Sequence, residues 1–550
     1  MSRQYIECKK LKEILLGFSS RSERYDAKYL MNTFVDVGAV HVRLSSAENQ
    51  ALFGRRGTGK THVLNYLHDK KLQRNELSVL IDMRLLGSSG SVYADSRQPP
   101  GERAVRMFVD FMLSIHESIR SQITKNPDRY DYSTYFPVLD RLADVVTSRE
   151  IIGSAEYKVS GESASTNTFG LDVGFSDAKV TAKTTISSSD VDKASSELKR
   201  VGVERINFNI GVVGGALKDL ADILDQKKIW IFIDEWSEIP HDLQPYLADL
   251  IKKVFFPVGG LVVKIAAIEH RSKFRVEVRG SGFLGIELGA EMPNSISLDE
   301  VLVFDNDPEK AKKFFSALIY KHLEAVYKGE KEEAADKLDN DLDEVFFYET
   351  QDELIKALFN RGDTFSEFVR AAEGVPRDAV TILSQLALSY DDNKISIPEI
   401  RKAAKICYQR YKHKDVASNH EAVELLSWIV DKVLGKKQAR AFLIETTLED
   451  SVLDHLYDAR VLHLIKQGVS GQDEAGKRFN AYSIDYGCYV DLINTVKEPK
   501  RLFDAELLDE SSSAEVPVDD YRSIRRAILD LSDFYNRKQN EQFELFVKGP

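Results

Sequence analysis

Between residues 46 and 145, short apolar runs alternate with segments whose apolar residues recur at helical spacing. "QALFG" and "LSVLIDMRLLGS" read as strands, the second running into a Gly/Ser turn. "THVLNYLHDKKL" and "GERAVRMFVDFMLSIHESIRSQI" read as helices. In the longer one, Val105, Phe108, Val109, Met112 and Ile115 form a single stripe. The pattern returns after residue 206 with helix "GGALKDLADILDQ" and strands "KIWIFIDE" and "GLVVKIAAIE". Strands that alternate with helices predict an α/β fold, a parallel sheet sandwiched by helices, over residues 46–294. Ahead of it, residues 1–45 read as a helical lead-in followed by "TFVDVGAVHVRL", whose pattern allows an extended segment.

Two departures break the rhythm. Residues 150–206 are rich in Ser, Thr and Gly, with alternation in "TFGLDVGF" and "AKVTAKTTI". They read as an inserted β-hairpin with flexible flanks, or as a disordered loop. From residue 295 the chain becomes mostly helical. "NDPEKAKKFFSALIYKHLEAVY" offers Asn306 or Asp307 as N-cap, with Pro308 just inside. "SEFVRAAEGVPRDAVTILSQLALSY" is a helix, a break and a second helix, which gives a helical unit at 295–392. Residues 393–497 form a further unit of helices closing in "FNAYSIDYGCYVDLI", which has the look of a terminal strand pair. A polar linker and a last helix occupy 498–550, with Ile524, Ile528, Leu531 and Tyr535 at helical spacing.

Composition narrows the class. The chain has 550 residues, is 43% apolar and carries a net charge of −12, so a long basic surface is not its dominant feature. Its three cysteines, Cys8, Cys407 and Cys488, are scattered without metal-ligand spacing. That argues against a disulfide framework or a zinc site and suits a reducing cytoplasm. "MSRQYIECKKLKEILLGF" is too charged for a signal peptide, and no apolar run is long enough to span a membrane.

The candidate chemistry lies in "FGRRGTGKTHVL". It fits G-x-x-x-x-G-K-[ST] through Gly54, Gly59, Lys60 and Thr61. The glycines, with Gly57 and Thr58 between them, let backbone N–H groups turn inward around phosphates. Lys60 is expected to reach the β- and γ-phosphates of ATP, Thr61 to ligate Mg²⁺, and the following helix to add its N-terminal dipole. "KIWIFIDEWSE" supplies the partner carboxylates. Asp234, at the end of an apolar strand, is placed to hold the Mg²⁺, and Glu235 to orient and deprotonate a water.

With these motifs the chain resembles AAA+ ATPases, and among them the origin-recognition-complex (ORC) type of initiator and loader. The third motif is "EGVPRDAVTIL", which looks like the sensor-2 sequence of the helical lid. The resemblance implies that Arg377 contacts the γ-phosphate, so that Glu235, Lys60 and Arg377 form the catalytic set. It further implies that residues 295–392 are a lid, residues 393–497 a winged-helix-like domain, and the protein a homo-oligomer. The family usually has a small polar sensor-1 residue after the strand matching "VVKIAAI". This chain has "EHRS", so Glu269 or His270 would serve there. Arg271, Arg275 and Arg279 are candidates for an arginine finger acting on a neighbouring subunit, or belong to a solvated basic loop. Arg55 and Arg56, at the variable positions of the phosphate loop, are expected to face a neighbouring subunit or solvent.

DNA remains an open partner. The stretch expected to lie against it, "TLEDSVLDHLYDARVLHL", carries Glu449, Asp450, Asp454 and Asp458, and carboxylates facing phosphates cost affinity. Two functions therefore compete. One is an ATP-driven switch that remodels, or loads onto, a nucleic-acid or protein partner. The other is a signalling NTPase of the antiphage-defence kind, in which the state of the nucleotide gates assembly with an effector protein.

Overall fold

The computed structural model describes most of residues 27–493, together with 15–16 and 528–538. Residues 1–14, 17–26, 159–196, 337–347, 494–527 and 539–550 lie outside the description, as do shorter stretches including 88–92, 279, 305–306, 389–393, 437–440, 449 and 471–475.

Five parallel strands form the central sheet: β1 (Gln50–Phe53), β2 (Leu77–Asp82), β3 (Ile229–Asp234), β4 (Leu261–Ala267) and β5 (Ile296–Ser297), in the order β5-β1-β4-β3-β2. Residue alternation sends side chains to two cores. Leu52, Trp230, Phe232, Val262 and Ala266 face α1 (Lys60–Gln73), through Val63, Leu64 and Leu67. Ala51, Phe53, Ile231, Ile233, Val263 and Ile265 face the other way, against α2 (Pro100–Lys125), α3 (Ile210–Asp222) and α4 (Gln244–Phe255). Strands buried on both faces read as continuous apolar runs, which is why they stand out in the sequence. Lys264 is the exception. It is fully buried in β4, where its ammonium donates to Ser46 O (2.9 Å) and Glu48 O (2.7 Å), and burial pushes its pKa down to about 7.

The helical region follows: α5 (Pro308–Asp336), α6 (Gly362–Ala371), α7 (Pro376–Leu388) and α8 (Ile397–Cys407). Asp307 caps α5 by accepting from Lys310 N at 3.0 Å. The turn from α6 to α7 passes through two left-handed residues, Glu373 (φ 51°) and Gly374 (φ 71°). A Cβ on Gly374 would stand 2.9 Å from Leu302 O, so glycine is required there. Beyond lies a three-stranded antiparallel sheet, β6 (Ala441–Glu445), β7 (Leu462–Ser470) and β8 (Arg478–Ile484), ordered β6-β8-β7. It packs with α9 (His420–Val430), α10 (Ser451–Asp458) and α11 (Tyr486–Ile493).

Several expectations are corrected. "VHVRL" is helical over Val40–Leu44, because Gly38 (φ 56°) and Ala39 (φ 58°) turn the chain out of an extended run. Only the first half of the supposed terminal strand pair is a strand. Asp485 accepts from Cys488 N at 3.0 Å and starts α11, so "YGCYVDLI" is a helix. In the tail, Ile528 is not helical. It bridges Leu443, with Leu529 N donating to Leu443 O at 2.9 Å, and the helix starts at residue 531. The sheet also takes β5 from residues 296–297, beyond the expected boundary at 294. At the base of the 150–206 insertion, Arg149–Ile152 pairs antiparallel with Val203–Ile206, and Ala155–Lys158 with Glu197–Arg200. The alternating stretches "TFGLDVGF" and "AKVTAKTTI" lie outside the described residues. Among the described residues no helix is long and apolar enough to cross a membrane.

Candidate nucleotide site

The carboxyl end of β1 leads into the loop Gly54–Gly59, and α1 opens at Lys60. A loop this tight needs glycine. Gly57 and Gly59 have φ of 92° and 96°, and a Cβ on Gly54 would sit 2.5 Å from Thr58 Oγ1. Thr58 closes the loop by donating to Arg55 O at 2.9 Å. The Lys60 ammonium lies under it, donating to Gly54 O (2.6 Å) and Arg55 O (3.1 Å). Burial pulls the Lys60 pKa down, and Glu235 and Asp234 oppose that shift.

The carboxylates stand beside the loop because β3 is two places from β1 and ends level with it. Asp234 is buried at the end of β3, in register with Asp82 at the end of β2. The Thr61 hydroxyl stands beside the Asp234 carboxylate and favours its charged form. Burial raises the Asp234 pKa, against the pull of Thr61 and Lys60. Glu235 follows in a left-handed conformation (φ 55°, ψ 38°), with its N–H donating to Asp234 Oδ1 at 2.9 Å. Such a backbone costs a glutamate about 1–2 kcal/mol, and strain of this kind concentrates at functional sites. Its side chain is 19% exposed and stands 3.8 Å from Arg84, which also pairs with Asp82. Burial, then the neighbouring Asp234 charge, raise the Glu235 pKa.

Arg377 reaches the same place from the helical region. Its N–H donates to Gly57 O at 3.2 Å, so the start of α7 rests on the loop. Its charge is also among those acting on Lys60. Gly54, Gly57, Thr58, Gly59, Lys60, Thr61, Asp234, Glu235 and Arg377 thus lie around one loop. Asp82, Arg84 and Asp299 join them without having been singled out in the sequence. "VLIDMR" does carry the same signal as "IFIDEW", an apolar strand ending in Asp.

The residues after β4 are placed differently. His270 Nε2 meets Asp458 Oδ1 at 2.8 Å, and its ring packs edge-on against Tyr457. Arg271 pairs with the other oxygen of Asp458, and Glu269 accepts from Gln467 at 2.9 Å. All three sensor-1 and finger candidates at this turn therefore engage the C-terminal unit. Arg275 pairs with Glu287 at 3.1 Å on the surface, and Arg279 lies outside the described residues. The acidic stretch is also partly committed. Asp450 caps α10 and accepts from Tyr535 at 2.7 Å, while Asp458 is taken up by His270 and Arg271. Of the two loop arginines, only Arg56 is exposed, paired with Glu238 at 2.7 Å. Arg55 is 1% exposed, a correction whose cause is internal hydrogen-bond partners along the edges of its guanidinium. Among the described residues no cluster of three or more His, Cys, Asp or Glu is arranged to hold a metal unaided.

No protein-family model matches the chain, and no curated protein matches it. Among solved structures it is similar to the ORC1 protein of Aeropyrum pernix in complex with DNA, at 12% identity over 90% of this chain and 98% of that one. The TM-score of that match is 0.28, a likeness that assigns neither family nor activity.

Proposed function

We propose that the chain binds ATP with Mg²⁺ at the Gly54–Thr61 loop and hydrolyses it as a switch of the AAA+ type. The observation that carries this reading is the meeting of Lys60, Thr61, Asp234, Glu235 and Arg377 at the carboxyl ends of parallel strands, where α/β sheets hold their ligands. The residues fit the ligand. The loop has the glycine backbone that phosphates need, and the Thr61 hydroxyl acts on the Asp234 carboxylate beside it. Mg²⁺ would complete its shell with phosphate oxygens and water. Bound there, it would neutralise charge developing on the phosphates. Lys60 would leave its carbonyl partners for the β- and γ-phosphates. Glu235, with its pKa raised, is suited to orient and deprotonate a water, and Arg377 to sense the γ-phosphate from a lid formed by residues 295–392.

On this reading the C-terminal unit, winged-helix-like, transmits the state of the site to a nucleic-acid or protein partner in a homo-oligomer. The second reading, a signalling NTPase gated by its nucleotide, is favoured by one observation: Arg271, a finger candidate, is paired within its own chain to Asp458. Multiple-turnover ATP hydrolysis tests the shared core of both. Wild type should turn over with Mg²⁺, Lys60→Ala should not bind, and Glu235→Gln should bind without turnover. A Glu235→Gln variant as fast as wild type would refute the assignment of Glu235.

A further inference from the structure

Arg55 lies in the phosphate loop, yet each of its nitrogens bonds a group away from the phosphate cradle. Its N–H and Nε both reach Asp299, at 3.0 and 2.9 Å. Nη2 donates to Glu373 O at 3.0 Å, in the left-handed turn before α7. Nη1 meets His463 Nδ1 on β7, and the Tyr457 ring lies 5.8 Å from the guanidinium carbon. One buried guanidinium is therefore held by the sheet domain, the helical region and the C-terminal unit together. Asp299 is shared further, accepting from Tyr457 OH at 3.1 Å.

The far side of His463 continues the connection. Its Nε2 meets Asp485 at 3.0 Å, Asp485 accepts from Lys412 at 2.6 Å, and Lys412 pairs with Asp378 at 2.7 Å. Asp378 is the residue after Arg377, and Arg460 of the C-terminal unit pairs with it at 2.7 Å. A neutral imidazole that accepts from Arg55 and donates to Asp485 satisfies this chain. Arg55 within the loop, and the helix start that carries Arg377 against it, are thus both tied to groups of the C-terminal unit, the second through Asp378.

We infer that Arg55 is a positioning residue of the nucleotide site, and that docking of the C-terminal unit, through Tyr457 and His463, holds the loop in its phosphate-binding shape. The inference rests on the reading of the loop as an ATP site. The clip acts on the outer end of the loop, through the first residue after Gly54, and leaves the N–H groups nearer α1 for phosphates. Lysine cannot replace Arg55, because a single ammonium does not reproduce a planar fork with partners on three sides. Coupling of this kind is reciprocal: what docking does for nucleotide affinity, nucleotide does for docking.

The test uses the full chain and Mg·ATP, read by calorimetric titration and by hydrogen exchange of the β7 peptide. Tyr457→Phe removes one hydroxyl and keeps the ring. It should weaken Mg·ATP binding about tenfold, the worth of a hydrogen bond to a buried carboxylate. Arg55→Lys should weaken it further. Saturating Mg·ATP should slow exchange in Leu462–Ser470 of wild type and leave Lys60→Ala unchanged. If Tyr457→Phe and Arg55→Lys lower the melting temperature but bind Mg·ATP as wild type does, the role is structural and the inference falls. Unchanged β7 exchange in a wild type that binds Mg·ATP also overturns it. Wild type that binds no Mg·ATP would overturn the ATP-site reading itself, a result distinct from either of these.

Discussion

Replacing Gly57 by alanine probes the seat of α7 on the Gly54–Gly59 loop, and Gly59→Ala provides the control. Both positions have φ near 90°, where an L side chain costs about 1–2 kcal/mol. Their surroundings differ. A Cβ at Gly59 meets nothing within 4 Å, whereas one at Gly57 would stand 2.8 Å from Arg377 Cβ and 3.1 Å from Val375 Cγ1. Neither neighbour yields easily. Val375 is fully buried, and Arg377 is tied through its backbone N–H to Gly57 O. Overpacking of this kind adds about 1–3 kcal/mol. Gly57→Ala should therefore cost about 2–5 kcal/mol without nucleotide, and Gly59→Ala about 1–2 kcal/mol. Urea denaturation of both ligand-free variants reads the difference, and hydrogen exchange of the 376–388 peptide locates it. Both should lose Mg·ATP affinity, since each distorts the cradle. Equal stability of the two variants, with α7 exchanging alike in both, would refute the docked position of the helix.

Other expectations follow from the charged groups. Glu235→Gln should lower turnover by about 10²–10⁴-fold, measured at saturating ATP. Because burial and Asp234 raise the Glu235 pKa, the acid limb of the turnover profile should lie above the ordinary 4.5 and vanish from the residual activity of that variant. The folded state also holds that proton more tightly than the unfolded one, so ionising Glu235 costs stability, and ligand-free Glu235→Gln should melt higher than wild type. At Asp378, burial alone would raise the pKa, but Arg460 and Lys412 outweigh it and hold the carboxyl below its usual range. Its contribution is present above the ordinary 3.8 and lost as pH falls through the folded value. Asp378→Ala removes the carboxylate partner of Arg460 and one of the two carboxylates that hold buried Lys412, and should cost about 3–5 kcal/mol by denaturation. Lys264, pushed down to about 7, binds fewer protons folded than unfolded between there and its ordinary 10.5. Its contribution to stability should rise with pH across that window, and Lys264→Met should flatten the rise.

The parallel strands and the tight glycine loop at Gly54–Gly59 were legible because their signals are local. Doubly buried strands are continuous apolar runs, and the glycines of the loop are needed for its own backbone. The meeting of Arg377 with the loop was expected only through a resemblance, since nothing in "GVPRD" by itself says that the helix start rests on Gly57. The network around Arg55 was not legible. Its partners Asp299, Glu373, Tyr457 and His463 come from separate parts of the chain, and a charged residue in a loop reads as solvated until its partners are known. The carboxylate at residue 458 was read for its charge against DNA, yet it faces His270 and Arg271. At "SIDYGCYV" alternation misled, because Asp485 ends a strand and caps a helix at once.

Titration of Mg·ATP into wild type and Lys60→Ala, followed by calorimetry, tests the central claim most directly. The account predicts saturable binding at one site per chain in wild type, dependent on Mg²⁺ and abolished in Lys60→Ala. Equal binding by both proteins, or none by wild type, would contradict it.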